Sequence, residues 1–285
     1  VRGALLEVRD LVVEYGVRGG AFRAVDGVSF TVRRASTLAL VGESGSGKST
    51  IAAAIVRLIR PARGSILLDG TDIAALPEKR LRPMRHRVQM IFQDPYGSLD
   101  PHLSALQIVA EPLRLRGHDR ASRARHAAAL LDRVGLAAST HQRRPAEFSG
   151  GQRQRIGIAR ALASGPELLV CDEATSALDV SVQAQVLELL REIQRDTGVA
   201  YLFISHNLGV VREISSELVV LRAGRVVESG PTERVLAAPT QPYTRALRRA
   251  ALDPAALRGR KPRAVLAATP EDSGAEGAPG EGEHP

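Results

Sequence analysis

The chain has one cysteine, Cys171, no tryptophan, two methionines and 3% aromatic residues in a length of 285. A single thiol excludes an internal disulfide and any all-cysteine zinc or iron–sulfur centre, which needs four thiolates. The shortage of aromatics removes the stacking platforms on which single-stranded nucleic acid is held. Long apolar runs are missing as well. Runs such as Leu168–Cys171, Tyr201–Ile204 and Leu218–Leu221 extend for four residues, and none approaches the ~20 that a membrane-spanning helix requires. The opening residues, Val1-Arg2-Gly3-Ala4-Leu5-Leu6-Glu7, lack the apolar stretch of a signal peptide, so the expectation is a cytoplasmic chain. Lysine is scarce too: of 39 basic residues only Lys48, Lys79 and Lys261 are not arginine, and the net charge is +8. The arginines are scattered rather than clustered, so the charge does not read as a nucleic-acid footprint, and no nucleic-acid partner is expected.

What is present is long enough to bury a large core. Residues Leu5–Val13 and Ala24–Val32 read as strands, and Thr37–Val41 as a buried strand. A glycine-rich turn follows, and then a helix with Ile51, Ala54, Ile55 and Leu58 on its apolar face. Residues 100–150 turn Ala-, Arg- and His-rich, with a helical stripe of Ala127, Leu130, Leu131 and Val134. Alternation of helix and strand then resumes: a helix over 151–163, a strand over 168–172, and a helix carrying Val182, Val186, Leu189, Leu190 and Ile193. A strand at 200–205 and a hairpin around Ala223-Gly224 complete the pattern, which belongs to the α/β class. Residues 264–285 hold five acids and no Lys or Arg among many Gly and Pro, and read as a disordered acidic tail.

The segment Gly42-Glu43-Ser44-Gly45-Ser46-Gly47-Lys48-Ser49-Thr50 matches the phosphate-loop pattern G-x-x-x-x-G-K-[ST]. A polyphosphate needs several donors converging on a small anion. Glycines let successive N–H groups turn inward as a nest. A helix beginning near Lys48 adds roughly half a positive charge at its N-terminus. Lys48 would then reach the β- and γ-phosphates, and the Ser49 hydroxyl would ligate Mg²⁺. Farther on, the apolar strand Leu168–Cys171 ends in Asp172 and Glu173. Beside a phosphate loop, Asp172 suits Mg²⁺, and Glu173 suits the polarisation of an attacking water. Elsewhere the same pair would be two solvated turn carboxylates.

Between these motifs lies Phe148-Ser149-Gly150-Gly151-Gln152-Arg153-Gln154-Arg155, which resembles the signature motif of ATP-binding cassette (ABC) ATPases. Other motifs agree in order and spacing. Gln93, in Ile91-Phe92-Gln93-Asp94-Pro95, resembles the Q-loop. Ser176-Ala177-Leu178-Asp179 resembles the D-loop, His206 the switch histidine, and Tyr15 the A-loop aromatic, with Phe22 a nearby competitor. The resemblance covers about residues 4–235. It implies a RecA-like P-loop core with an antiparallel β subdomain and a helical subdomain inserted at about 97–155, within an ATPase domain of residues 1–235. It also implies ATP and Mg²⁺ as ligands: Glu173, His206 and Gln93 at the γ-phosphate, Ser49, Gln93 and Asp172 at the metal, and Tyr15 on adenine. Ser149, Gly150, Gly151 and Gln152 would face the ATP of a partner subunit across a head-to-tail dimer.

The segments Ala24–Phe30, Phe92–Pro101 and Pro239–Leu247 are similar to the ATPase subunits of bacterial oligopeptide and dipeptide importers, in particular the second, F-type ATPase of such pairs. Residues 236–263 would be the C-terminal extension of that type. The implied partners are membrane permease subunits, a second ATPase (or a second copy) and, indirectly, an extracytoplasmic solute-binding protein, at the cytoplasmic face of a bacterial membrane. Nickel, glutathione or a sugar remain open as solutes, and an exporter or a soluble cassette protein as alternatives. Asn207 and Gln241 stand where the family has Asp and His, and the Asn207 change bears on a contact behind His206. Arg153 and Arg155 read as a solvated helix face or local pairing, and Cys171 as a packing residue.

Overall fold

The fold is that of a computed structural model, which describes residues 3–17, 20–176 and 178–252. The chain opens with the long antiparallel strands β1 (Ala4–Val17) and β2 (Gly20–Arg33), then enters β3 (Thr37–Val41) and, through the glycine-rich loop, α1 (Lys48–Ile55). Strands β4 (Arg63–Leu68) and β5 (Thr71–Asp72) return to β1. A short α2 (Glu78–Leu81) and a 3₁₀ turn then lead to β6 (Val88–Ile91).

Four helices follow without a strand: α3 (Pro95–Ser98), α4 (Ala105–Leu115), α5 (Arg120–Arg133) and α6 (Gly150–Ala163). The last of these runs beyond residue 155 and carries the chain back to the sheet. There β7 (Leu168–Asp172), α7 (Val180–Thr197), β8 (Ala200–Ile204) and α8 (Leu208–Ile214) continue the alternation. The hairpin β9 (Glu217–Arg222) and β10 (Arg225–Pro231) and the helices α9 (Thr232–Ala237) and α10 (Pro242–Leu252) complete the described chain.

The described strands form two sheets. The antiparallel one has the order β2-β1-β4-β5, and the mixed one β10-β9-β3-β8-β7-β6. In the second, β9, β3, β8, β7 and β6 run parallel to one another, and β10 is antiparallel to β9. Every residue of β3, β7 and β8 is buried, as expected of parallel strands covered on both faces. One core, with α1 at its centre, joins the antiparallel sheet to one face of the parallel sheet. A second lies on the opposite face and joins α4, α5, α6 and α7 to it, with Phe203 and Tyr201 fully buried within it. Truncating Phe203 to alanine would cost about 3–5 kcal/mol by transfer and cavity terms together.

One expectation from periodicity fails. Periodicity puts Leu58 on the apolar face of α1, yet it is 66% exposed. The helix stops at Ile55, and Arg57 turns the backbone left-handed at φ +57°, so Leu58 no longer follows the helical phase.

Candidate functional site

Sheet order creates the site. Strands β3, β8, β7 and β6 are adjacent and parallel, with Leu40 opposite Ile204, Ile204 opposite Asp172, and Cys171 opposite Ile91. Their C-terminal ends therefore finish side by side. They deliver, in turn, the glycine-rich loop, His206, the Asp172–Glu173 pair and Gln93. In open α/β sheets, ligands bind at this edge. A cleft of about 950 Å³ opens there, lined by the loop residues Gly42–Gly45 and Gly47–Thr50 and by Gln93, Glu173 and His206.

The loop is moulded against its surroundings. A Cβ on Gly42 would lie 2.3 Å from the Leu221 carbonyl oxygen, and one on Gly47 2.5 Å from that of Ala24. Gly47 also sits at φ +103°, a conformation that side chains resist. The hairpin turn clasps the loop from outside: the Gly224 N–H donates to the Ser46 carbonyl at 3.1 Å. Gly47 occupies the cap position of α1, and no side chain caps that helix, whereas Ser104, Asp119, Ser149 and Asp179 cap α4, α5, α6 and α7. The first-turn N–H groups of α1 thus face the cleft without a competing side-chain acceptor, as an anion site requires.

Lys48 is buried, and its ammonium donates to the carbonyls of Gly42 (2.8 Å) and Glu43 (2.7 Å). Burial lowers its pKa, while the carboxylates of Glu173, Asp172 and Glu43 oppose the shift. The Ser49 hydroxyl donates to Asp172 Oδ1 at 3.2 Å. Burial raises the Asp172 pKa, with the Ser49 hydrogen bond opposing it. Glu173 sits in the left-handed region at φ +47°, held by its N–H to the Ile204 carbonyl at 3.0 Å. Strain of that kind at a cleft residue marks a position whose orientation matters more than its comfort. Each oxygen of its carboxylate has a partner: Gln93 Nε2 donates to Oε2 at 2.9 Å, and His206 Nδ1 lies 3.2 Å from Oε1. Sequence reading found all three residues but not that Glu173 bridges the other two.

Tyr15 and Phe22 are directly paired across β1 and β2, and both line the cleft, at 40% and 57% exposure. Directly opposed residues present their side chains on one face, so the two aromatics share the site rather than compete for it. The Tyr15 hydroxyl lies 3.5 Å from that of Thr50.

The Ser149–Gln152 segment does not line the cleft. Ser149 is exposed at the N-cap of α6, in a reciprocal capping box with Gln152 (3.3 and 3.0 Å). Gly151 has a reason to be glycine: a Cβ there would meet Val182 of α7 at 2.4 Å. Asp179 caps α7, accepting from the Val182 N–H at 2.9 Å, and Ser176 donates to the Glu173 carbonyl at 3.0 Å. Leu178 is half-buried against the helical core, and Ala177 lies outside the described residues. The starts of α6 and α7 and the Glu173 turn thus form one contiguous unit.

Asn207 carries the capping that its position demands. Its Oδ1 accepts from the N–H groups of Gly209 (2.9 Å) and Val210 (3.3 Å), starting α8, a task that Asn and Asp perform about equally. Arg153 is not a solvated residue: it is 5% exposed, and its Nε donates to the Pro145 carbonyl at 2.6 Å. Arg155 makes a local contact, donating to the Val134 carbonyl at 2.6 Å. Cys171 is fully buried, and burial pushes its thiol up to about 12, consistent with a packing role. Sequence reading missed Gly224, and it missed the residues Leu247, Ala250 and Ala251 of α10 that line the cleft. The only signal for the first was the Ala223-Gly224 turn.

A strand, a glycine nest with a buried lysine, an uncapped helix and a carboxylate pair define a P-loop nucleotide-binding fold. The sequence pattern of the ABC transporter family matches residues 25–176, and the chain belongs to that family of ATPases. It is 50% identical over 265 residues to "Probable peptide ABC transporter ATP-binding protein y4tS" of Sinorhizobium fredii, covering 90% of this chain and 75% of that protein. It is 47% identical over 270 residues to the glutathione import ATP-binding protein GsiA of Salmonella typhimurium, covering 92% of this chain. The chain spans 43% of the length of GsiA. Its fold is similar to that of the dimeric, post-hydrolysis ATP-binding cassette MJ0796 bound to ADP and Pi, with a TM-score of 0.74 and 26% identity over 80% of this chain and 98% of that one.

Proposed function

We propose that the chain is the ATP-hydrolysing subunit of a membrane importer for oligopeptides or dipeptides. The observation that carries the catalytic half is the Glu173 carboxylate, aimed into the cleft and held on both oxygens by Gln93 and His206. In this reading Lys48 and the loop N–H groups bind the β- and γ-phosphates of ATP. Glu173 accepts the proton of the water that attacks the γ-phosphorus in line, and His206 and Gln93 keep its carboxylate oriented. Tyr15 and Phe22 stack on the base, worth about 1–3 kcal/mol for such a contact. The Ser49 hydroxyl and Asp172 carboxylate form an all-oxygen donor set suited to Mg²⁺, with Gln93 close by on the adjacent Glu173. When bound there, Mg²⁺ supplies charge neutralisation at the phosphate oxygens.

The exposed signature segment supports a head-to-tail pairing in which Ser149 and the Gly150 and Gly151 N–H groups meet the γ-phosphate held by the partner. The cassette to which this fold is similar is dimeric, which supports pairing of two cassettes. The pairing would close on ATP and open after hydrolysis, moving permease subunits at the cytoplasmic face of the membrane. No helix among the described residues is long and apolar enough to cross a membrane, so a separate permease would supply the pathway. The peptide assignment is supported by the relative named for peptide transport and by the Pro239–Leu247 and Phe92–Pro101 segments. Glutathione, itself a small peptide, is the second reading, favoured by the likeness to GsiA.

Co-purification in mild detergent with tagged Glu173→Gln chain, ATP and Mg²⁺ tests this reading. Recovery of two permease chains and a second ATPase is expected. Recovery of ribosomal or DNA-processing proteins without a membrane partner would refute the importer.

A further inference from the structure

The helix α10 lies 200 residues from the phosphate loop in sequence and touches it in space. The Glu43 N–H donates to the Tyr243 hydroxyl at 3.3 Å. That N–H belongs to the Gly42–Glu43 peptide, whose carbonyl, on Gly42, accepts from the Lys48 ammonium at 2.8 Å. The two ends of one rigid peptide plane are therefore held, one by Tyr243 and the other by Lys48. Rotation of that plane would withdraw the carbonyl from the lysine and turn the N–H toward the cleft.

Tyr243 is itself fixed. It is 5% exposed, packs with Leu247 against β3, β9 and α8, and carries the Arg222 guanidinium 5.1 Å from its ring centroid. The turn before α10 is tied down as well: the Thr240 N–H and hydroxyl both donate to Glu228 Oε1 at 2.8 Å, and the Gln241 N–H donates to Oε2 at 3.2 Å. One and two turns beyond Tyr243, Leu247, Ala250 and Ala251 present an apolar surface to the cleft, facing the same space as Tyr15 and Phe22.

We infer that Tyr243 is a positioning residue for nucleotide binding, acting through the Gly42–Glu43 peptide on Lys48, and that the Leu247–Ala251 face of α10 is a wall of the nucleotide pocket. The inference rests on the reading of the cleft as a nucleotide site. Neutral hydrogen bonds of this kind set small equilibria, so the effect falls on affinity for the nucleotide and not on the chemical step.

The test uses the full chain, wild type and Tyr243→Phe, with dissociation constants for a fluorescent ATP analogue, steady-state turnover of Mg-ATP and thermal melting. Phenylalanine keeps the ring and its arginine contact and removes only the hydroxyl. The expected result is a Kd and KM raised about 3- to 10-fold at nearly constant kcat, with Tm lowered by no more than about 4 °C. Wild-type Kd and KM in the variant would overturn the inference, as would a lowered Tm with affinity intact, the pattern of a merely structural role. Absence of nucleotide binding by the wild-type chain would overturn the ATPase reading itself, a distinct outcome. Because the chain has no tryptophan, Ala251→Trp gives a sole indole reporter on α10. Its emission is expected to change on addition of the nucleotide, and an unresponsive indole would overturn the pocket wall.

Discussion

Strand β7 is flanked by Glu167 at its start and by Asp172 and Glu173 at its finish, and the two ends treat their carboxylates differently. At the start, Glu167 accepts from the guanidinium groups of Arg87 and Arg34, which also reach Asp69. At the finish, Asp172 and Glu173 are met by a hydroxyl, an amide and an imidazole, and among the described residues neither is paired with Arg or Lys. Lysine is close by, but Lys48 is bound to carbonyl oxygens instead. One end cancels its charges and serves stability. The other leaves its carboxylates without a cationic Arg or Lys partner among the described residues, and it accumulates the costly features: a left-handed glutamate, glycines in near-contact with backbone, and an uncapped helix.

That contrast breaks most severely at Glu173. Glu173→Gln should slow ATP turnover by at least ~10²-fold, the scale of losing a general base, while a fluorescent ATP analogue still binds. Lys48→Ala should lose the binding as well. Equal turnover by wild type and Glu173→Gln would remove Glu173 from the chemistry. The next effect is at Gly47. Gly47→Ala forces a Cβ against the Ala24 carbonyl in a left-handed backbone, so the melting temperature should fall roughly 5–10 °C, about 2–3 kcal/mol, with nucleotide affinity lost. A variant that melts normally would show that the loop can shift.

The smallest effect belongs to the other end of the strand. Hydrogen bonding from Arg87 holds the Glu167 pKa below the usual carboxylate range, against an opposing burial effect. A depressed folded-state pKa stabilises the fold above the unfolded value of about 4.3, and that stabilisation is lost as pH falls through the folded value. Glu167→Gln should therefore lower stability at pH 7 by about 1 kcal/mol or less, given partial exposure. The difference from wild type should shrink toward pH 3 in denaturant melts. Turnover per folded molecule should stay unchanged, which separates the two ends of the strand.

How far each feature was legible in the sequence follows from the distance over which its cause acts. The phosphate loop and the carboxylate pair are set within a few residues, by glycine torsions and a strand end. A sequence window contains all of that physics. The same window placed Leu58 wrongly, because one left-handed residue at Arg57 ended the helical phase. It also set Tyr15 against Phe22, which cross-strand pairing makes neighbours on one face.

By itself, then, the sequence determined which local structures could form and which residues could carry charge or bend the chain, since those depend on backbone sterics and short-range hydrogen bonds. Only the tertiary structure decided that Gln93 and His206, 80 and 33 residues from Glu173, hold its two oxygens, and that Tyr243 grips a loop 200 residues away. Those contacts are created by the order of strands in a parallel sheet and by the helix that packs beside it. That order is a property of the whole packed core, where buried area from many distant segments has to be satisfied at once.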